Sequence, residues 1–406
     1  MKKVIFFAYL LAFSAMGFSQ SFSKCHFDEY LNASLQSAEF AKKHAEFEKK
    51  LSTSSFQKSE TVFIIPVVFH VIYKNSTENI SDNQIYSQLA ILNEDYRKLN
   101  ADTSLVVLGF STADVRIEFC LAQRDPQGNV STGINRISTN IDNIGTSEQY
   151  YVIQPAWDRT SYLNIWVGDY GTDNLGNNIL GKASPPSEPN ANKDGVIINH
   201  IAFGTSGSAQ SPYNQGRTTV HEIGHWLGLY HPWGINSVSC AEDDLVADTP
   251  NQGRIYFGCP TNPRSTCGSD DMLSNFMGYV DDRCMGNFTE GQKTRMRNSF
   301  VSVRSNILLS KACLAVGLDE NAQQLDLSVF PNPANESVTL EFGQSFSNSL
   351  RIQLYDIRGR EVLKLRPDQL SDKKIQLNTS GLESGLYLLK VQDGKDFFRS
   401  KLTVQH

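Results

Sequence analysis

Three histidines and a glutamate are spaced so that they could hold a metal ion and use it: His221-Glu222-Ile223-Gly224-His225-Trp226-Leu227-Gly228-Leu229-Tyr230-His231. At about 100° per residue, a helix brings His221 and His225 onto one face a turn apart, so both imidazoles can reach one ion. Val220, Ile223 and Leu227 form a separate apolar stripe that can seat the helix in a core. Gly228 can take the left-handed conformation that ends a helix, letting the chain turn back and offer His231 as third ligand. Three protein ligands leave the fourth position of a tetrahedral zinc site open, as in a catalytic rather than a structural ion. Glu222 follows the first ligand and points close to that position, where it can take the proton of a metal-held water attacking a carbonyl. A plainer role competes: Thr219 and Glu222 fit a TxxE capping box, in which the glutamate would only cap the helix.

The elements that must position these groups begin after a leader. Lys2 and Lys3 precede an apolar run from Val4 to about Met16, then Gly17, Ser19 and Gln20, which reads as a cleaved secretory signal over residues 1–20. The run is too short for a membrane span, and no later stretch is apolar for long enough. A chain of 406 residues with 40% hydrophobic content can hold two or three domains with a substantial core. A net charge of -6 gives no reason to expect nucleic-acid binding. Seven cysteines in an exported chain imply disulfides with at least one thiol left over.

Residues 21–60 are polar, with a helical piece from Ala38 to Leu51 and little to bury, which suits a propeptide. Residues 61–315 have another texture. Val62 to Tyr73 reads as a buried strand. Ser81 and Gln84 form a capping box before Ile85, Leu89, Leu92 and Tyr96 at helical spacing. Val115 to Ala122, Tyr162 to Val167 and Gly195 to Asn199 are further strands, with a turn at Asp125 to Gly128. Strands alternating with helices predict an α/β (α+β) domain with a mixed twisted sheet, an active-site helix and the metal in a cleft beside the sheet. After a linker at 316–325, residues 326–406 turn into short strand-like runs, including Ser337 to Phe342, Leu350 to Tyr355, Leu386 to Val391 and Phe397 to Val404. Turn residues at Pro331-Asn332-Pro333, Arg358-Gly359, Gly381 and Asp393-Gly394 separate them, predicting a small β-sandwich.

The loop after His231 carries Cys240, Cys259, Cys267 and Cys284 and is otherwise rich in Gly, Pro, Asp and Asn. It has too little apolar content to hold its shape unaided, so two crosslinks are expected, with three pairings open. The absence of CxxC spacing argues against a second zinc. Glu242, Asp243, Asp244, Asp248 and Thr249 in the same loop offer the hard oxygen ligands that calcium takes; without EF-hand spacing, a solvated acidic loop is the plainer reading.

Further on stand Asn275-Phe276-Met277-Gly278-Tyr279, then Cys284-Met285, Phe288-Thr289 and Gln292, and upstream Ile65-Pro66-Val67-Val68-Phe69-His70-Val71. With HExxHxxGxxH, they resemble the metzincin metalloproteases, and within them the pappalysins, over roughly Val62 to Leu314. The resemblance implies that Met277 is the floor beneath the three histidines and that Tyr279 steadies the tetrahedral intermediate. It implies the pairs Cys240–Cys267 and Cys259–Cys284. It implies calcium in the acidic loop, with side chains from Asp244 and Thr249 and carbonyls from Asp243 and Ala247. Leu180 to Ser184 lies where metzincins keep the edge strand that pairs with an extended substrate. Asp281 and Asp282 fall where the wall of the pocket after the scissile bond is expected. A carboxylate there would favour Lys or Arg, unless Arg283 neutralises it. Cys25, in the propeptide, could hold the open zinc position as a latency switch, as in some pappalysins; the plainer readings are no role, or a disulfide to Cys120 or Cys313.

The tail pattern Phe330-Pro331-Asn332-Pro333-Ala334, Leu354-Tyr355-Asp356, Gly359-Arg360-Glu361-Val362 and Gly385-Leu386-Tyr387 resembles the sorting domains of the type IX secretion system. The expectation is a secreted zinc-dependent endopeptidase, made as a precursor and exported through the periplasm to the medium or cell surface. It would act on protein or peptide substrates, with secretion machinery as its other partner and no transmembrane segment. The rival is a secreted adhesion or binding protein with a structural metal site, against which the presence of Glu222 argues.

Overall fold

The computed structural model describes residues 22–53, 61–107, 109–235, 238–314, 325–343, 347, 349–356, 360–365, 373–394 and 396–406. The signal expected at 1–20 and all but residue 325 of the linker expected at 316–325 lie outside them. The chain divides into two units, Met1–Val316 and Gly317–His406.

In the first unit the elements are β1 (Phe22–Ser23), α1 (Phe27–Ser34), α2 (Ala38–Thr53), β2 (Phe63–Tyr73), α3 (Asp82–Tyr96), β3 (Ile117–Leu121), β4 (Ile134–Ser138), α4 (Tyr150–Ile153), β5 (Leu163–Gly168), β6 (Asn178–Ile179), β7 (Gly181–Ala183), β8 (Val196–Asn199), α5 (Arg217–Trp226), β9 (Ser265–Thr266), β10 (Ser269–Asp270) and α6 (Glu290–Val303). The main sheet runs β3-β2-β5-β8-β7, with β4 also pairing with β2. All its pairings are parallel except that of the edge strand β7, which is antiparallel to β8. A strand buried on both faces reads as an unbroken apolar run, and in β2 successive side chains serve different cores. Ile65, Val67, Phe69 and Val71 join the main core with α3, α5 and α6. Val68 and Ile72 face the opposite side, Ile72 with Trp166 and Tyr170. The helix α3 starts at Ser81, whose side chain accepts from the Gln84 amide at 3.2 Å.

One expectation needs correction. Residues 22–53 do have something to bury: Cys25, Phe27, Leu31, Phe40, Phe47 and Leu51 are all inside. Full burial of an apolar side chain is worth about 1.5–3 kcal/mol, and this segment obtains it from surfaces far along the chain. On α2, Glu48 accepts from Arg295 at 2.7 Å and from the Tyr230 hydroxyl at 2.6 Å.

The second unit contains β11 (Leu327–Phe330), β12 (Ser337–Phe342), β13 (Arg351–Asp356), β14 (Glu361–Leu365), β15 (Lys374–Asn378), β16 (Gly385–Asp393) and β17 (Asp396–Val404). They form a three-stranded sheet, β11-β12-β15, and a four-stranded sheet, β14-β13-β16-β17. Alternate residues fill the core between them: Val338, Leu340 and Phe342, then Ile352 and Leu354, Leu389 and Val391, and Leu402 and Val404. That period of two is the signature of antiparallel strands with one buried face.

Candidate metal centre

The helix α5 begins earlier than a Thr219–Glu222 capping box would require. Its N-cap is Gly216, at φ +74°, and the Asp282 carboxylate accepts from the amides of Gln215 and Arg217 at 2.9 and 3.2 Å. A carboxylate at that end meets both the free amides and the positive pole of the helix dipole. Glu222 is therefore inside the helix, and its side chain is not used for capping. Gly228, at φ +92°, closes the other end, with its amide donating to the His225 carbonyl at 2.8 Å. The chain then reverses and brings His231 back to His221 and His225.

The three Nε2 atoms form a triangle with sides of 3.1, 3.1 and 3.2 Å. Each Nδ1 faces a group that can only accept: the Phe276 carbonyl for His221 and the Leu229 carbonyl for His225, both at 2.8 Å. For His231 it is the Asp28 carboxylate, with both oxygens at 2.9 Å. The ring hydrogens are thus on Nδ1, and three Nε2 lone pairs converge with no hydrogen between them. Burial, with the neighbouring imidazoles adding to it, holds His221 and His225 well below the usual histidine range, so the rings stay neutral. Converging neutral lone pairs repel one another unless a cation lies among them, and three imidazoles are a donor set zinc takes. The Cys25 thiol joins the same cluster, with all four ligand atoms within 4.8 Å of one another and all four residues buried.

Met277 is fully buried and packs against the middle of α5, where a Cβ at Gly224 would lie 2.5 Å from its sulfur. Its turn is pinned by α6, where Thr289 and Gln292 form a reciprocal capping box. The Gln292 amide also exchanges two hydrogen bonds with Asn275, at 2.9 and 3.0 Å, and Asn275 accepts from the Met277 amide at 2.9 Å. The Tyr279 ring packs against His231 and Trp233, at centroid distances of 4.9 and 4.7 Å. Its hydroxyl faces the Cys25 carbonyl at 3.4 Å. Glu222 is fully buried, and neither carboxylate oxygen has a hydrogen-bond partner of regular geometry among the described residues. Burial pushes its carboxyl up to about 8. A Cβ at Gly181 would come within 2.8 Å of the Glu222 Cγ, so only glycine leaves this carboxylate its room under the edge strand.

The N-terminal segment lies across the site. Phe22 and Ser23 pair in parallel with Asn178 and Ile179, and the edge continues with Leu180 N to Ser23 O and His26 N to Gly181 O, both 3.0 Å. Lys24 is buried, donating to the Val280 carbonyl at 2.7 Å and standing 4.0 Å from the Asp282 carboxylate. Desolvation brings its ammonium down to about 8 against the pull of Asp282 and Asp281. Arg283 instead approaches Asp281, at 3.8 Å. Phe27 stacks on the His225 ring at 4.0 Å, nearly parallel.

The loop after His231 holds two disulfides, Cys240–Cys267 and Cys259–Cys284, and a third bridge joins Cys120 to Cys313. Cys25 stays free. In the acidic loop Asp244 and Thr249 are buried, and among the described residues Asp244 Oδ2 and Thr249 Oγ1 have no hydrogen-bond partner of regular geometry. Burial raises the Asp244 carboxyl to about 8. Asp243 and Ala247 lie exposed on the same loop. Asp248 turns away, accepting from Ser111, Thr289 and the Gly291 amide at 2.6–3.0 Å. Sequence reasoning missed Asp28, Lys24 and Phe27, whose partners lie far along the chain and leave no local signal.

A histidine triad on a helix and its return loop, a glutamate within the helix, and a buried methionine packed against that helix define a metzincin-type zinc metalloendopeptidase. Residues 146–301 match the model of the pregnancy-associated plasma protein-A family. An extracellular metalloprotease of Arthroderma gypseum is 33% identical over 252 residues, covering 60% of this chain and 75% of that protein. Another, from Arthroderma benhamiae, is 31% identical over 246 residues, covering 59% and 79%. Among solved structures, a promirolysin mutant of Tannerella forsythia is 38% identical with a TM-score of 0.64, covering 70% of this chain and 97% of that one. Mature mirolysin with a cleaved peptide is 42% identical with a TM-score of 0.56, covering 62% and 97%. The chain belongs to the pregnancy-associated plasma protein-A, or pappalysin, family of metallopeptidases. Residues 328–405 match the secretion system C-terminal sorting domain, the type IX tail. Among the described residues, no helix is long and apolar enough to cross a membrane.

Proposed function

We infer that His221, His225 and His231 hold the zinc of a secreted endopeptidase and that Glu222 is its general base and acid. The observation that carries this is the triangle of Nε2 lone pairs, each fixed by an acceptor behind its Nδ1. Zinc bound there supplies a Lewis acid that activates water and polarises a carbonyl. Glu222 takes the proton of the attacking water and passes it to the leaving amine. The Tyr279 hydroxyl donates to the oxygen on which negative charge develops. In support, that hydroxyl already faces a main-chain carbonyl, that of Cys25, in a chain lying in the cleft. Met277 is the apolar floor that keeps the histidine rings in place. Digestion of casein by the mature enzyme is expected to stop on chelation and return with added zinc; cleavage that survives chelation would overturn the assignment.

The order of parts is a signal at 1–20, a propeptide at 21–60, the catalytic domain at 61–315, a linker at 316–325 and the sorting domain at 326–406, with export through the periplasm. Cys25, whose thiol lies within 4.8 Å of the three histidine ligand atoms, would hold the zinc alongside them and keep the precursor latent. A pro-form and a mature form are both known for mirolysin. Lys24 is buried beside Asp282, where the pocket for the residue after the scissile bond is expected, which supports substrates with Lys or Arg there.

Calcium in the loop after His231 would satisfy Asp244 Oδ2 and Thr249 Oγ1, which have no hydrogen-bond partner of regular geometry among the described residues, with Asp243 and Ala247 supplying carbonyls. Calcium at a hundredfold excess over its Kd is expected to stabilise the enzyme by about 2.7 kcal/mol. Thermal unfolding with and without calcium measures this. The shift should vanish in Asp244→Ala, and a shift that persists there would remove Asp244 from the site.

A further inference from the structure

Two of the three histidine rings are oriented by carbonyls of the catalytic unit itself, Phe276 and Leu229. The third is not. His231 Nδ1 lies 2.9 Å from both oxygens of Asp28, and Asp28 belongs to α1, in the segment that maturation would remove. His231 is otherwise held by ring contacts, with Trp233 stacked at 4.5 Å and Tyr279 edge-on at 4.9 Å. The Asp28 side chain is mostly buried, with 25% of its surface exposed, whereas its neighbour Glu29 is exposed. Phe27, one residue before Asp28, covers the ring of His225. The same turn of α1 therefore grips two of the three imidazoles while Cys25, just before it, reaches the cluster with its thiol.

We propose that Asp28 is a carboxylate lent to the metal centre by the precursor: it orients His231 and strengthens its hold on zinc, and the mature enzyme loses it. The inference rests on the zinc assignment above. A carboxylate accepting from the far nitrogen of a ligating imidazole fixes the tautomer and ring and raises the basicity of the ligand, and removing such a partner typically lowers metal affinity 10- to 100-fold. A carbonyl does the first of these but carries no full charge. The precursor thus has two independent grips on zinc that the mature enzyme lacks, Cys25 on the ion and Asp28 behind a ligand. Zinc would be taken up and kept during the latent stage, before any substrate is met.

The test is zinc competition with a chromogenic chelator, using the full precursor carrying Glu222→Ala so that it cannot process itself. Asp28→Ala and Asp28→Asn are each made with Cys25 intact and with Cys25→Ala, and Glu29→Gln serves as a control for charge on the same turn. In the Cys25→Ala background, Asp28→Ala is expected to weaken zinc binding by roughly 10- to 100-fold, with Glu29→Gln unchanged. Asp28→Asn keeps the size and an acceptor oxygen, so it remains decisive where alanine loosens the segment, a loosening that limited proteolysis of residues 22–53 would reveal. A loss in both variants assigns the effect to the charge, and a loss in alanine alone assigns it to the hydrogen bond. Zinc affinity unchanged in both overturns the proposal. Failure of the underlying assignment looks different: the parent precursor would bind no zinc, or would bind it equally well as His231→Ala.

Discussion

Glu222→Ala is expected to lower kcat/KM on a peptide substrate by roughly 10²- to 10⁴-fold, the usual weight of a positioned general base, while zinc content stays that of the parent. The loss should fall on kcat, because the proton is moved only as the bond is made and broken. The local structure leaves little room for a substitute. The carboxylate is fully enclosed, and Gly181 leaves it room, since a Cβ there would lie 2.8 Å from its Cγ. No second carboxylate joins the cluster of ligand atoms among the described residues. Active-site titration alongside zinc analysis separates a lost base from a lost fold. A variant within a few-fold of the parent would sink the assignment of Glu222.

Cys25→Ala in the full precursor is expected to be the second large effect: faster appearance of activity and of the processed form. If the thiol contributes even 1.4 kcal/mol to the latent state, the open population rises about tenfold on its removal. Burial, with the Glu222 charge adding to it, pushes this thiol well above its ordinary range, so a nearby cation is what would draw out the thiolate. The variant should not be fully active. Lys24 still sits by Asp282, Phe27 still stacks on His225, and Glu48 still ties α2 to Arg295 and Tyr230. A time course of processing at several precursor concentrations measures the change. Equal lag times in the parent and the variant would remove Cys25 from latency.

Much of this centre was legible because its signals are local. His221, His225, Gly228 and His231 are fixed by helical geometry and one left-handed turn, and β2 announces itself as an unbroken apolar run. Ser81 and Gln84 name the start of α3, and Thr289 and Gln292 that of α6. What escaped was held by partners far away in the chain. The short helix α1 has only Phe27 and Leu31 buried, too few to show a period, and its apolar face is matched by the metal centre rather than by its own neighbours. In sequence, Asp28 and Glu29 are indistinguishable; only the fold puts one behind His231 and leaves the other outside. Lys24 looked like any solvated lysine, because the carboxylate beside it arrives from the far end of the same unit. The glutamate that also fitted a capping box could be freed of that role only once the helix was seen to begin at Gly216 and Arg217.

Gly224 and Met277 touch so closely that a Cβ at 224 would lie 2.5 Å from the methionine sulfur. Position 224 cannot drift freely while a methionine stands at 277. A lineage that acquires a side chain at the first must already have a smaller or differently shaped residue at the second, so relatives with a side chain at 224 should also carry a replacement at 277. The floor of the site and the middle of its helix are in this sense one inherited character, written in two places.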